Sequence, residues 1–88
     1  MIYLLRASIH ESVEECPYKT GFTKRWVRTR ISELQTGCPY ALELVGCITG
    51  NKNQERAIHK QFEESKIRFG KTEWFKYNPR LLEIFKKS

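Results

Sequence analysis

Between Lys19 and Ser32 the chain carries five lysines or arginines and no acid, with Gly21 near their head. A glycine turn feeding a helix N-terminus ringed by cations suits a phosphate, because outward N–H groups and cationic side chains add charge-assisted hydrogen bonds. The same residues also describe a solvated basic helix that packs on a sheet, and their types alone leave both readings open. Glu55 and His59 stand one helical turn apart, a carboxylate above an imidazole, although that spacing is usually met as a surface pair. His10-Glu11 lacks the second histidine of a metalloprotease helix and carries no such chemistry. Cys16, Cys38 and Cys47 are odd in number and form no CxxC pair. Two of them with His10 match no common zinc spacing, and the repeated Cys-Pro-Tyr reads as coincidence.

The elements that must position these groups follow from pattern. Ile2 to Ala7 is apolar on both faces, as in a strand covered on two sides, with Tyr3, Leu5 and Ala7 sharing one face. A polar, acidic loop from Ser8 to Pro17 returns the chain to a strand at Tyr18, Lys19 and Thr20, where Gly21 permits a turn. Thr23 is the expected N-cap and Gly37 the expected stop of a helix whose Val27, Ile31 and Leu34 share a face edged by Trp26. Arg30 falls beside that stripe, Arg25 points away and Arg28 lies to the side. A third strand is expected at Leu42 to Thr49, with Leu42, Leu44, Gly46 and Ile48 on one side. A helix is expected from about Gln54 to Lys66, turning Ile58 and Phe62 inward, then a basic loop from Arg68 to Lys71. Glu73-Trp74-Phe75 is a short extended piece. Asn78-Pro79 opens a last helix to about Lys86, closed onto the core by Leu81, Leu82 and Phe85. The order β-β-α-β-α-(β)-α predicts one α/β domain over residues 1–88, a small three-stranded, mainly antiparallel sheet flanked by helices.

Composition narrows the partner. A net charge of +6 and a pI near 9.4 favour an anionic partner, nucleic acid before membrane. No apolar run reaches membrane-spanning length and no signal-peptide pattern opens the chain, so a reduced, cytoplasmic setting is expected.

Five pieces in order, IYLL from Ile2, YKTG from Tyr18, LQTG from Leu34, Glu55 with His59, and EWF from Glu73, resemble the GIY-YIG nuclease superfamily. The closest match is its short phage-type branch, also called the meiotically up-regulated gene branch. The resemblance implies a divalent-metal-dependent endonuclease domain that hydrolyses DNA phosphodiesters. Tyr3 would match the tyrosine of the first half-motif, and Lys19 the tyrosine position of the second. Arg30, or less well Arg28, would match the helix arginine that meets the scissile phosphate. Glu55 would bind Mg²⁺ or Mn²⁺, which often needs only one or two carboxylates besides water and substrate oxygens. Arg30 and Lys19 would neutralise charge on the phosphate. Tyr3 or His59 would serve as the base. Glu73 would orient a cation or hold a second metal, or only flank the anchoring Trp74 and Phe75. Tyr18, Lys24, Arg25, Arg28 and Lys71 are expected to meet nucleic acid, duplex DNA first. The pattern departs in three places: Met1 stands where the first glycine belongs, Thr20 replaces isoleucine, and one residue is added between Gly21 and the arginine. A lone domain has little means of choosing a site, so a protein partner or a second copy is expected to supply targeting. A catalytically inactive binding module of the same fold is the alternative. A phage or mobile-element effector is a compatible biological role.

Overall fold

The computed structural model describes residues 1–69 and 72–86, with backbone only at 68, 69, 72 and 73. Five antiparallel strands form one sheet in the order β3-β1-β2-β5-β4: β1 Ile2–Ala7, β2 Tyr18–Phe22, β3 Leu42–Ile48, β4 Lys66–Phe69 and β5 Thr72–Phe75. Three helices accompany it: α1 Val27–Thr36, α2 Lys52–Gln61 and α3 Pro79–Lys86. The expected three-stranded sheet is thus too small by β4 and β5. Residues expected to end a helix and form a basic loop instead extend as β4. Lys66-Ile67-Arg68-Phe69 alternates polar and apolar residues, and pairing with Thr72–Phe75 satisfies its backbone better than another helical turn. Helix α2 stops at Gln61 because Phe62, its C-cap, turns into the core, and Glu63–Ser65 forms one 3₁₀ turn before β4.

Strand β1 is the spine. In register with β2, Tyr3 faces Gly21 and Leu4 faces Thr20. Pleating therefore puts Tyr3, Lys19 and Gly21 on one side of the sheet, and Ile2, Leu4, Tyr18 and Thr20 on the other. On the second side, α2 and α3 complete the core: Ile58, Phe62, Leu81, Leu82 and Phe85 cluster with Ile2, Leu4, Tyr18 and Phe75. Each such large side chain contributes about 1.5–3 kcal/mol when removed from water. Helix α1 is held at its C-terminal end by Gln35. That amide donates to the Tyr40 carbonyl at 2.7 Å and accepts from the Leu42 N–H at 2.7 Å, tying α1 to the start of β3. This is the structural use of the LQTG segment.

Four local expectations change. Gly21 is no turn; it lies inside β2, where a Cβ would sit 2.1 Å from the Tyr3 hydroxyl oxygen, so a side chain is excluded by the phenol itself. Thr23 does not cap α1, which begins four residues later; its hydroxyl accepts from the Arg25 N–H at 3.1 Å in a tight turn. Strict alternation along β3 fails at a bulge. Leu4 pairs with Gly46 and Leu5 with Leu44, so Val45 is the extra residue; it packs on the core while Leu44 faces water. Finally, no residue of α1 is buried, and Trp26, expected at the edge of an apolar stripe, is 84 % exposed. By contrast, Asn51 caps α2 in a capping box with Gln54, both bonds present.

Candidate functional site

On the α1 side of the sheet, the Tyr3 ring lies across Gly21 and is 3 % exposed. The Arg30 guanidinium lies near the Tyr3 hydroxyl, and its interaction with that hydroxyl is the first cause holding the Arg30 pKa above its ordinary value. Glu33 adds to it, 3.6 Å from the guanidinium. Arg25, exposed in the turn before α1, is bound to Glu33. Of the three arginines near α1, then, Arg30 is the one seated on the sheet. Lys19 lies on this same side and places its ammonium 5.5 Å from the centre of the Trp74 ring.

Glu55 and His59 lie on the opposite side. Their side chains approach to 3.4 Å, and His59 Nε2 is 2.6 Å from the Thr20 hydroxyl oxygen. The imidazole edge meets the Phe75 ring at 5.2 Å, which fixes its plane. Arg56, Lys60, Glu63 and Lys66 surround the pair in an open pocket of about 400 Å³. The phenol–guanidinium pair and the carboxylate–imidazole pair therefore do not line one groove on one face. They address neighbouring residues of β2, Gly21 from one side and Thr20 from the other.

The strand that both pairs touch, β2, has an open edge. Strand β2 pairs with β5 only at Tyr18–Phe75, so from Lys19 to Phe22 its outer side has no strand partner among the described residues. The Thr23 N–H bonds the Met1 carbonyl at 3.0 Å and the Ala7 N–H bonds that of Pro17 at 3.1 Å. Ladder alternation between these rungs turns the backbone groups of Thr20 and Phe22 away from β1, toward that edge.

The remaining expected contacts divide. Tyr18 is no surface residue: it is fully buried, its hydroxyl donates to the Val13 carbonyl at 2.9 Å, and burial raises its pKa, partly offset by Arg6. Lys24 and Arg28 are exposed beside Trp26. Lys71 and the Glu73 side chain lie outside the described residues. Thr20, to which the sequence reading gives no site role, is the residue that meets His59. Its signal was present, a hydroxyl where the resembled pattern has isoleucine, on a strand face that is otherwise core.

The fold is that of a small α/β domain that carries these two polar pairs on either side of β2. The chain belongs to the T5orf172 domain family, which matches residues 1–87 and is related to GIY-YIG/HNH-like nuclease-type domains. No curated protein and no solved structure shows significant similarity to it. No helix among the described residues is long and apolar enough to cross a membrane.

Proposed function

We propose that this domain is a GIY-YIG-type, divalent-metal-dependent endonuclease acting on DNA, with the unpaired edge of β2 as the place where the backbone of the substrate runs. The observation that carries this reading is that both polar pairs bear on consecutive residues of one strand, His59 on Thr20 and the Tyr3 ring on Gly21. A phosphate strand lying along the edge reaches Arg30 on one side and Glu55 with His59 on the other. Backbone N–H groups of Thr20 and Phe22 add donors between them.

Within this reading each group has one task. Arg30, fixed by Tyr3, presents a charged fork to the phosphate. With its hydroxyl near the guanidinium, the buried phenol orients Arg30. His59 has its side chain one-third exposed, within reach of solvent water, and takes the proton that the attacking water gives up. Thr20 holds the imidazole in place. Glu55, partly shielded but opening on a pocket, suits a hydrated hard cation: no cluster of three metal-binding side chains exists among the described residues, so water and substrate oxygens would complete the shell. Such a cation supplies Lewis-acid stabilisation of phosphoryl oxygens and a more acidic bound water.

The placement of the two pairs on opposite faces favours a second reading, a nucleic-acid-binding module without cleavage. Plasmid nicking with Mg²⁺ or with chelator separates the two. Glu55→Ala should abolish Mg²⁺-dependent nicking while leaving duplex affinity within a few fold. Nicking that survives the substitution removes Glu55 from the reaction, and no nicking by the unaltered protein in Mg²⁺ or Mn²⁺ leaves the binding module.

A further inference from the structure

Trp26 is out of place for its chemistry. An indole that is 84 % exposed leaves a large apolar surface in water, and tryptophan is normally well covered. It does not stand alone. Met1, Val27 and Leu44 join it along an open groove of about 580 Å³ between the start of α1 and the outer face of β3. Met1 and Leu44 are themselves 39 % and 42 % exposed, so the apolar patch is continuous. Its lining contains no acid, and Lys24 and Arg28 stand at its rim. Neither of those two makes an ion pair among the described residues, whereas Arg25 is engaged by Glu33.

We infer that this groove binds single-stranded nucleic acid, with an unpaired base stacked on the Trp26 indole and the flanking phosphates on Lys24 and Arg28. Three observations select that occupant. The ring is aromatic and flat, with cations beside it and no acid, the combination that grips a stacked base and its phosphates together. Among the described residues Trp26 is the one aromatic ring in the groove's lining, so the groove offers little to a folded protein surface. The Trp26 anchor also stands one helical turn from Arg30, the Arg30 N–H bonding the Trp26 carbonyl at 3.2 Å. The inference rests on the nucleic-acid half of the proposed function and is independent of cleavage.

The test is binding of a short fluorescein-labelled oligo(dT), in chelator, followed by anisotropy. Trp26→Ala should weaken binding about 5- to 150-fold, the range for losing one base–aromatic stack. Trp26→Phe should recover most of that loss. An abasic strand of the same length carries the same phosphates and should bind Trp26→Ala and the unaltered protein alike. Lys24→Gln and Arg28→Gln should weaken both strands and each lower the salt slope by about 0.7. The proposal fails if Trp26→Ala leaves oligo(dT) binding unchanged, or weakens the abasic strand equally. It fails also if the substitution instead abolishes self-association in sedimentation, or binding to anionic phosphatidylserine vesicles, while oligo(dT) affinity stands. Loss of nicking activity alone would strike the hydrolytic reading and leave this result untouched.

Discussion

Gly21→Ala is the substitution that reads the site most directly. A methyl group on Gly21 would lie 2.1 Å from the Tyr3 hydroxyl oxygen, 2.2 Å from Cζ and 2.7 Å from Cε1. All three atoms belong to a rigid ring that is buried to 3 % exposure, so the phenol cannot simply swing into solvent. Overpacking of this kind costs about 1–3 kcal/mol. Glycine replacement recovers about 0.4–1 kcal/mol from the unfolded chain where the backbone permits it. The net expectation is a loss of about 1–2 kcal/mol, a drop of roughly 4–16 °C in Tm for a domain of this length. Urea unfolding of the single variants and of the Tyr3→Ala/Gly21→Ala pair gives the coupling directly. Without the ring, the alanine at position 21 should be neutral or slightly stabilising. An equal loss in both backgrounds would refute the claim that the ring is what requires glycine, and so would no loss in the unaltered protein.

Arg30→Ala should reduce nicking far more than Arg25→Ala, since only Arg30 is seated on Tyr3; equal losses in initial rate would mean the wrong side of α1 faces the phosphate. Gly46→Ala should destabilise by about 1–3 kcal/mol in urea, because its Cβ would meet the backbone carbonyl of Phe85 at 2.8 Å and push α3 from β3; an unchanged midpoint would show that helix to be loosely held. The pH profile of stability should be asymmetric. Burial holds the Tyr18 pKa above the ordinary phenol value, so its contribution is complete below about pH 10 and is lost as pH climbs through the folded-state value. Arg6 lowers Glu43 and Arg25 lowers Glu33, so their support is present above the ordinary carboxylate range and is lost as pH falls. Both are surface pairs, so the acid limb should be the shallower. A Tyr18→Phe variant that keeps the same alkaline limb would overturn this assignment.

What was legible in the chain was what local pattern dictates. The hairpin of β1 and β2, the start of α3 at Pro79 and its buried Leu81, Leu82 and Phe85 all follow from short-range residue choice. Strand β4 was not legible because its extended form depends on β5, and Glu63 to Lys66 alone carries enough helical preference to mislead. The bulge at Val45 is invisible to a period-two pattern, since one inserted residue exchanges inward and outward positions. Pleat parity also limited the reading of the site. Motifs in the right order say which residues are present; whether the Glu55–His59 pair meets the Tyr3 face or its reverse depends on His59 contacting Thr20 and not Gly21, a difference of one residue. For α1, the periodic Val27, Ile31 and Leu34 suggested a covered face, but half-exposed side chains suffice for a helix tethered by Gln35.

Among the described residues a single rung, Tyr18 with Phe75, joins β2 to β5 and gives the sheet a seam. Three strands on one side of it are laced along most of their length, while the β4–β5 hairpin meets them at that rung and through Phe75 in the core. Amide protons of the hairpin should therefore trade with solvent well before those of β1, and the molecule will loosen from that margin inward when it begins to come apart.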